Sequence, residues 1–311
     1  MKTISIVTPC FNEEAGIAEC YEACRAVMEG ELAHYAYEHI FIDNCSTDRT
    51  VAILKDIAAR DKRVKIIVNA RNFGPQRSPF HAMLQARGDA VTCVLADLQT
   101  PPDLLPEMAR QWEAGRKVVI AVRRGAGEGW LMSLARRSFY LLIKRLSSVE
   151  QIPNFIGYGL YDRKFMDVVS QLGEPEPYFR GLVSEIGFER AVVEYDQPLR
   201  KHGKSRHSLF DLVDFALIGL TTYAKAPMRL MTVTGFVVAF FSLLAALVYT
   251  GIKLLFWSRV PFGVTPILLA TFFFGSVQLL ALGLIGEYVG LLLKYARGFP
   301  LVVERERINF D

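Results

Sequence analysis

Short runs of apolar, β-branched residues alternate with amphipathic stretches from the start of the chain. ISIVTP (4–9), YEHIFID (37–43), VKIIVN (64–69), VTCVLA (91–96) and KVVIAV (117–122) each read as a buried strand. Between them the spacing predicts helices over about 14–29, from Thr47 or Asp48 to about 60, and over roughly 77–87. Pro101-Pro102 ends the fourth run, and Asp103 is the expected N-cap of a helix through LLPEMARQW. Strands alternating with helices imply βαβ units and an α/β fold around a mainly parallel sheet. Further on, WLMSLARRSFYLLIKRL predicts a helix, Asp162 caps a helix beginning at Arg163, and FERAVVEYD predicts another strand.

The pattern then changes. Residues 230–293 carry only Lys253, Arg259 and Glu287 as charges. Two uncharged runs, 230–252 and 260–286, each exceed the roughly 20 residues that cross a bilayer. Lys253 and Arg259 lie in the short link, while Lys225, Arg229, Lys294, Arg297, Arg305 and Arg307 flank the other side. The positive-inside rule therefore predicts a cytoplasmic-membrane protein with two spans and both termini in the cytoplasm. Residues 208–220 have the spacing of an amphipathic helix lying among headgroups. The basic loop before it, with Arg200, Lys201, Lys204 and Arg206, would draw anionic lipid at about 1 kcal/mol per charge. Gly283, Gly286 and Gly290 offer a small-residue face for helix packing, an expectation of a homo-oligomer. The expected division is a soluble domain over 1–200, an interfacial segment over 201–229, a membrane domain over 230–295 and a tail over 296–311.

Met1 leads directly into a β-like run with no signal peptide before it, so the first domain is expected in the cytosol. Its five cysteines (Cys10, Cys20, Cys24, Cys45 and Cys93) are expected as reduced thiols, since no Cys/His spacing completes a zinc site. A net charge of +4 gives no case for nucleic acid. No GxGxxG or GxxxxGK[ST] is present, which removes support for a dinucleotide oxidoreductase or a P-loop hydrolase.

The residues just past each strand carry the chemistry. Asn12, Glu13 and Glu14 come after the first, Asp43 and Asn44 close the second, and Arg71 lies beyond the third. Asp97 and Gln99 come after the fourth, and Arg123 and Arg124 after the fifth. A parallel sheet puts these positions along one edge, where open α/β sheets bind ligands. Carboxylates, amides and arginines together suit a metal-bound, phosphorylated ligand. Asp97 with Gln99 is an oxygen pair fit for Mg²⁺ or Mn²⁺, although a strand-end Asp also simply caps turns.

Pro9-x-Phe11-Asn12-Glu13-Glu14, FIDNCSTDRT, ARNFG and ADLQTPPD together resemble family 2 glycosyltransferases, whose sugar-nucleotide domain has a GT-A fold. Within that family the chain is most similar to polyprenyl-phosphate glycosyltransferases, and the likeness runs from residue 4 to about 295. The resemblance implies a nucleotide-sugar donor held by Pro9, Phe11, Asn12, Glu13, Asp43, Asn44, Arg71, Asp97, Arg123 and Arg124. It implies a divalent metal on Asp97 and Gln99, with Asp97 and Arg123 serving catalysis. It also implies a polyprenyl phosphate acceptor held by Arg136 and by Lys204, Ser205 and Arg206, and inversion at the anomeric carbon. Four positions depart from the pattern: Leu95 for the first Asp of a D-x-D motif, Cys45 for glycine, Pro75 for lysine, and Gly157 for an Asp of the GDFRL type. A phosphate monoester, with its second pKa near ~6, arrives largely deprotonated and needs orientation more than a base. The absence of Gln-x-x-Arg-Trp argues against processive polymer synthesis. A glycosylated lipid acceptor, or a non-catalytic membrane scaffold, are the alternatives.

Overall fold

The architecture is that of a computed structural model describing residues 1–124, 152–174, 177–198, 263–310 and scattered positions between 233 and 255. Five strands appear where the apolar runs predict them: β1 (Thr3–Cys10), β2 (Ala36–Asp43), β3 (Val64–Asn69), β4 (Ala90–Cys93) and β5 (Val118–Arg123). Helices α1 (Ile17–Glu29), α2 (Thr50–Arg60), α3 (Gly74–Gln85) and α4 (Leu105–Glu113) connect them. Next come β6 (Phe155–Asp162), α5 (Arg163–Gln171), α6 (Phe179–Glu185), β7 (Arg190–Tyr195), α7 (Val264–Arg297) and β8 (Glu304–Ile308).

All eight strands form one sheet in the order β7-β5-β6-β4-β1-β2-β3-β8. β1 lies between β2 and β4, parallel to both, with Cys10 opposite Asp43. The sheet is therefore mainly parallel, as the strand–helix alternation implies. It contains two antiparallel strands that the hydrophobic pattern does not announce: β6 between β4 and β5, and β8 against β3. β6 carries Gly157 and Gly159, which dilute its β-propensity. Gly159 is required where it stands, because a Cβ there would lie 2.3 Å from the Val119 carbonyl oxygen. One face of the sheet packs Cys20, Cys24 and Met28 of α1 against Met108 and Trp112 of α4. The other buries Phe80 and Met83 of α3 with Phe165 and Met166 of α5.

Three local expectations are corrected. β4 stops at Cys93 rather than 96, although Val94 N–H still donates to Val7 O at 2.9 Å. Asp103 caps nothing: Pro101-Pro102 open a short 3₁₀ turn over Pro102–Leu104, and α4 begins on Leu104 as N-cap. α3 starts at Gly74, three residues early, because Pro75 sits in its first turn, where a missing N–H costs nothing. Asp162 does cap α5, accepting from Lys164 N–H at 3.0 Å.

α7 runs 34 residues, roughly 51 Å at 1.5 Å per residue, and ends on Gly298 in the left-handed region. Its segment Phe273–Arg297 (mean hydropathy 1.7) is the one helix among the described residues long and apolar enough to cross a membrane. That window lies further along than the expected 260–286. Of the expected span at 230–252, an apolar helix over Val233–Ser242 is described. The helix around Arg136, the basic loop and the amphipathic stretch 208–220 lie outside the described residues.

After α7 the chain returns to the sheet. Arg77 of α3 donates to Pro300 O at 2.7 Å, Ala70 N–H to Val303 O at 2.8 Å, and His81 meets Glu304 at 2.6 Å. Lys55 pairs with Glu306 at 2.7 Å, and Asn309 donates to the Ala58 and Val64 carbonyls. The last residues thus clasp β3 and α3.

His39 lies buried in β2, 2.9 Å from the Thr8 hydroxyl and stacked 4.0 Å from Phe41. Burial lowers its pKa to about 3, against a smaller upward pull from Asp61. The folded state holds it neutral while the unfolded chain protonates it below about 6.5, so its contribution to stability falls as pH drops from 6.5 toward 3. The difference in unfolding midpoint between the wild type and His39→Gln, measured on the full chain, should shrink between pH 7 and 5. The slope expected is about 1 kcal/mol per pH unit below 6.

Candidate active site

The loops leaving β1, β2 and β4 each contain a non-glycine residue at positive φ: Asn12 (56°), Cys45 (68°) and Leu98 (55°). Left-handed backbone at ordinary side chains costs energy and gathers at functional sites. Here it marks one edge of the sheet.

At the β1–β2–β3 end of that edge the expected donor residues are interlaced. Asn12 N–H donates to Ser46 Oγ at 2.9 Å, and its Oδ1 accepts from Thr47 N–H at 2.8 Å. Glu13 N–H donates to Thr50 Oγ1 at 2.9 Å. Asn44 spends both ends of its amide: Oδ1 accepts from Phe73 N–H at 2.9 Å and Asn69 at 3.2 Å, while Nδ2 donates to Asn72 at 2.8 Å. Asn12 and Asn44 thus brace the loops. Arg71 is exposed, lies over the Phe73 ring at 4.1 Å, and donates to Asn72 O. Pro9 is in register with Ile42 beneath these loops, and Phe11 is half-buried among them.

Asp43 differs from its neighbours. It is wholly buried, its Oδ2 accepts from Ser46 N–H at 2.9 Å, and its Oδ1 has no hydrogen-bond partner among the described residues. Burial raises its pKa, opposed by the Ser46 and Cys45 donors and by the charge of Arg305. A buried carboxylate oxygen without a donor calls for a partner.

Further along the edge a cavity of about 420 Å³ opens beside the ends of β4, β5 and β6, walled by α3 and the start of α6. Gln99, Arg123, Tyr158, Arg180 and Gln197 are among its polar lining residues, with Gln76, Thr100 and Tyr178. Arg123 donates to Gln197 Oε1 at 2.6 Å, and its buried Nε has no hydrogen-bond partner among the described residues. Arg124 faces elsewhere: it pairs with Glu194 at 3.4 Å and Asp196 at 3.6 Å on the exposed surface.

Asp97 and Gln99 occupy a turn, not a strand end. Leu98 N–H donates to Leu95 O at 3.0 Å, Leu95 N–H to the buried Thr100 hydroxyl at 2.7 Å, and Gln99 N–H to Asp97 Oδ1 at 3.1 Å. The left-handed Leu98 sets Asp97 and Gln99 in one bend, and of the two Gln99 lines the cavity. Both the Asp97 and Arg123 charges bear on the phenol of Tyr195, which lies opposite Arg123 in register. Among the described residues no group of three or more His, Cys, Asp or Glu gathers to hold a metal by itself. One carboxylate with one amide fits Mg²⁺ or Mn²⁺, which fill their remaining positions with substrate phosphates and water. It does not fit zinc.

Three of the four departures from the family pattern, Pro75, Leu95 and Gly157, line this cavity; Cys45 does not. Gly157 adopts φ +98°, a conformation that disfavours the Asp of relatives. The expected acceptor residues Arg136, Lys204, Ser205 and Arg206 lie outside the described residues. Tyr158, Arg180 and Gln197 join the site without having been singled out by the sequence pattern. Gln197 is accessible to the same reasoning as Arg123, since it too comes after a predicted strand. Arg180 carries no local signal of its own.

The family described as "Glycosyl transferase family 2" matches residues 5–169. An "Uncharacterized glycosyltransferase YkcC" of Bacillus subtilis is 35% identical over 309 residues, covering 99% of this chain and 94% of that protein. A "Bactoprenol glucosyl transferase" of Shigella phage SfV is 33% identical over 306 residues, covering 98% and 99%. Among solved structures, glucosyl-3-phosphoglycerate synthase from Mycobacterium tuberculosis, in complex with Mn²⁺, UDP and phosphoglyceric acid, is 20% identical with a TM-score of 0.45. It covers 71% of this chain and 77% of that one.

Proposed function

The chain belongs to glycosyl transferase family 2, and from that premise we propose that it transfers a sugar from a nucleotide-sugar to a polyprenyl phosphate at a membrane surface. The observation that carries this reading is the cavity: its described lining includes two arginines, Arg123 and Arg180, and no carboxylate. Such a lining attracts an anion, and among the described residues it holds no carboxylate to act as general base. A sugar hydroxyl needs a base, whereas a phosphate monoester is already a nucleophile near neutral pH. Relatives named bactoprenol glucosyl transferase support the same acceptor class and make glucose the first sugar to test.

The geometry supports one division of labour. The loops braced by Asn12 and Asn44 form the nucleoside end, where Asp43 Oδ1 suits an N–H of the base. Arg123, beside the cavity and with its Nε unpartnered among the described residues, stabilises diphosphate charge as the glycosidic bond breaks. A divalent metal bound at Asp97 and Gln99 would add Lewis-acid stabilisation of the leaving nucleotide. Gln197 orients Arg123, and Tyr158, held by its hydroxyl on Pro101 O at 2.6 Å, walls the cavity against water. The membrane reading has two spans and cytoplasmic termini, supported by the charge asymmetry of the flanks and by Phe273–Arg297.

The test is transfer of radiolabelled sugar from a panel of UDP- and GDP-sugars to undecaprenyl phosphate, with Mg²⁺ or Mn²⁺ and with EDTA. A single lipid product, lost in EDTA and restored by metal, is expected. Nucleotide binding without any lipid product would overturn the acceptor.

A further inference from the structure

We propose that Arg180 is a ligand of the acceptor's phosphate monoester, an inference that rests on the transferase reading above. Arg123 reaches the cavity from the end of β5, whereas Arg180 reaches it from the second residue of α6, a different element. Its setting differs from that of the surface arginines held by carboxylates. Arg25, Arg63, Arg124 and Arg307 each pair with a carboxylate, but among the described residues Arg180 makes no ion pair. It is exposed at the rim, with its guanidinium 6.0 Å from the centre of the Tyr178 ring.

The platform beneath it is rigid. Phe179, the neighbouring residue, packs edge-on against Tyr161 at 4.9 Å and against Phe80 and Phe165 at 6.2 Å. Gly181 N–H donates to Tyr178 O at 2.8 Å and closes the first turn of α6. A guanidinium with no ion pair among the described residues, in a cavity whose described lining has no carboxylate, is suited to a dianion. The reaction brings two phosphorylated ligands together. Arg123 comes from the strand edge that carries the other donor-side residues, whereas Arg180 stands on α6 at the exposed rim, which leaves Arg180 for the second ligand.

The experiment measures KM for undecaprenyl phosphate and for the active nucleotide-sugar in the wild type, Arg180→Ala and Arg180→Lys. Losing a charge-assisted contact predicts an acceptor KM raised roughly 10- to 100-fold in Arg180→Ala, with donor KM and thermal midpoint unchanged. Arg180→Lys, which keeps a point charge without the fork, should recover part of the loss. An unchanged acceptor KM overturns the inference, and so does a rise in donor KM instead, which would give Arg180 to the diphosphate. A wild type that transfers to undecaprenyl phosphate while Arg180→Ala keeps its KM removes this inference alone. A wild type inert toward undecaprenyl phosphate removes the transferase reading as well.

Discussion

Asp97→Ala should reduce sugar transfer by roughly 10³-fold or more at saturating Mn²⁺, corresponding to about 4 kcal/mol of lost transition-state stabilisation. The magnitude follows from how few ligands the turn provides. With Leu95 in place of a further carboxylate, Asp97 brings the only formal negative charge that the Asp97–Gln99 pair offers a cation. Asp97→Asn separates two explanations, because it retains an oxygen and the backbone contact to Gln99 N–H but removes the charge. If charge is what matters, the Asn variant should be nearly as inactive as Ala, and higher metal concentration should restore part of its rate. Membrane insertion should be normal in both. A variant that stays active in EDTA would remove the metal from Asp97.

Gly159→Ala should produce the largest loss of stability. The added Cβ would sit 2.3 Å from the Val119 carbonyl oxygen and 3.2 Å from the Ile120 Cα, both backbone atoms of the neighbouring strand β5. Neither can rotate away, so β5 and β6 must separate locally; about 3 kcal/mol or more is expected, at the upper end for overpacked sites. Because β6 also walls the cavity through Tyr158, activity should fall together with the thermal midpoint. A Gly159→Ala protein of wild-type thermal stability would contradict the close approach of β5 and β6. Gly115→Ala is the control: nothing lies within 4 Å of the Cβ it would add, so at φ +97° only backbone strain acts.

Much of this architecture is legible in the order of residues, and the reasons for the rest are specific. β1, β2, β3 and β5 stand out because burial on both faces writes them as short runs rich in apolar, β-branched residues. β6 does not, because its glycines and tyrosines serve close packing and a bulge rather than hydrophobic periodicity. β8, ERERI, alternates charge with charge; it is an edge strand whose partners are Lys55 and His81, so no apolar signal marks it. The donor edge is readable because each strand end delivers a polar residue to the same rim. What sequence order cannot convey is which of those residues bind a ligand and which bind each other. Asn12 and Asn44 turn out to hold loops together, whereas Asp43 keeps an oxygen without a protein donor among the described residues. Arg123 and Arg124 are adjacent in sequence, but strand alternation points one at the cavity and pairs the other with Glu194.

The clasp of β8 on β3 has a consequence for how the protein is made. β3 is complete once residue 69 has left the ribosome, but its antiparallel partner begins at residue 304. At roughly 5–20 residues per second, the interval is on the order of ten to fifty seconds, during which β3 has a bare edge. That edge carries Ile66, Ile67 and Val68, the kind of strand that recruits other chains. α7 is synthesised in the last part of that interval, so the nascent chain still holds an unfinished sheet while this apolar helix emerges. Completion of the sheet is therefore tied in time to completion of the apolar helix, and a chain stalled before residue 304 would be an aggregation-prone intermediate rather than a smaller active enzyme.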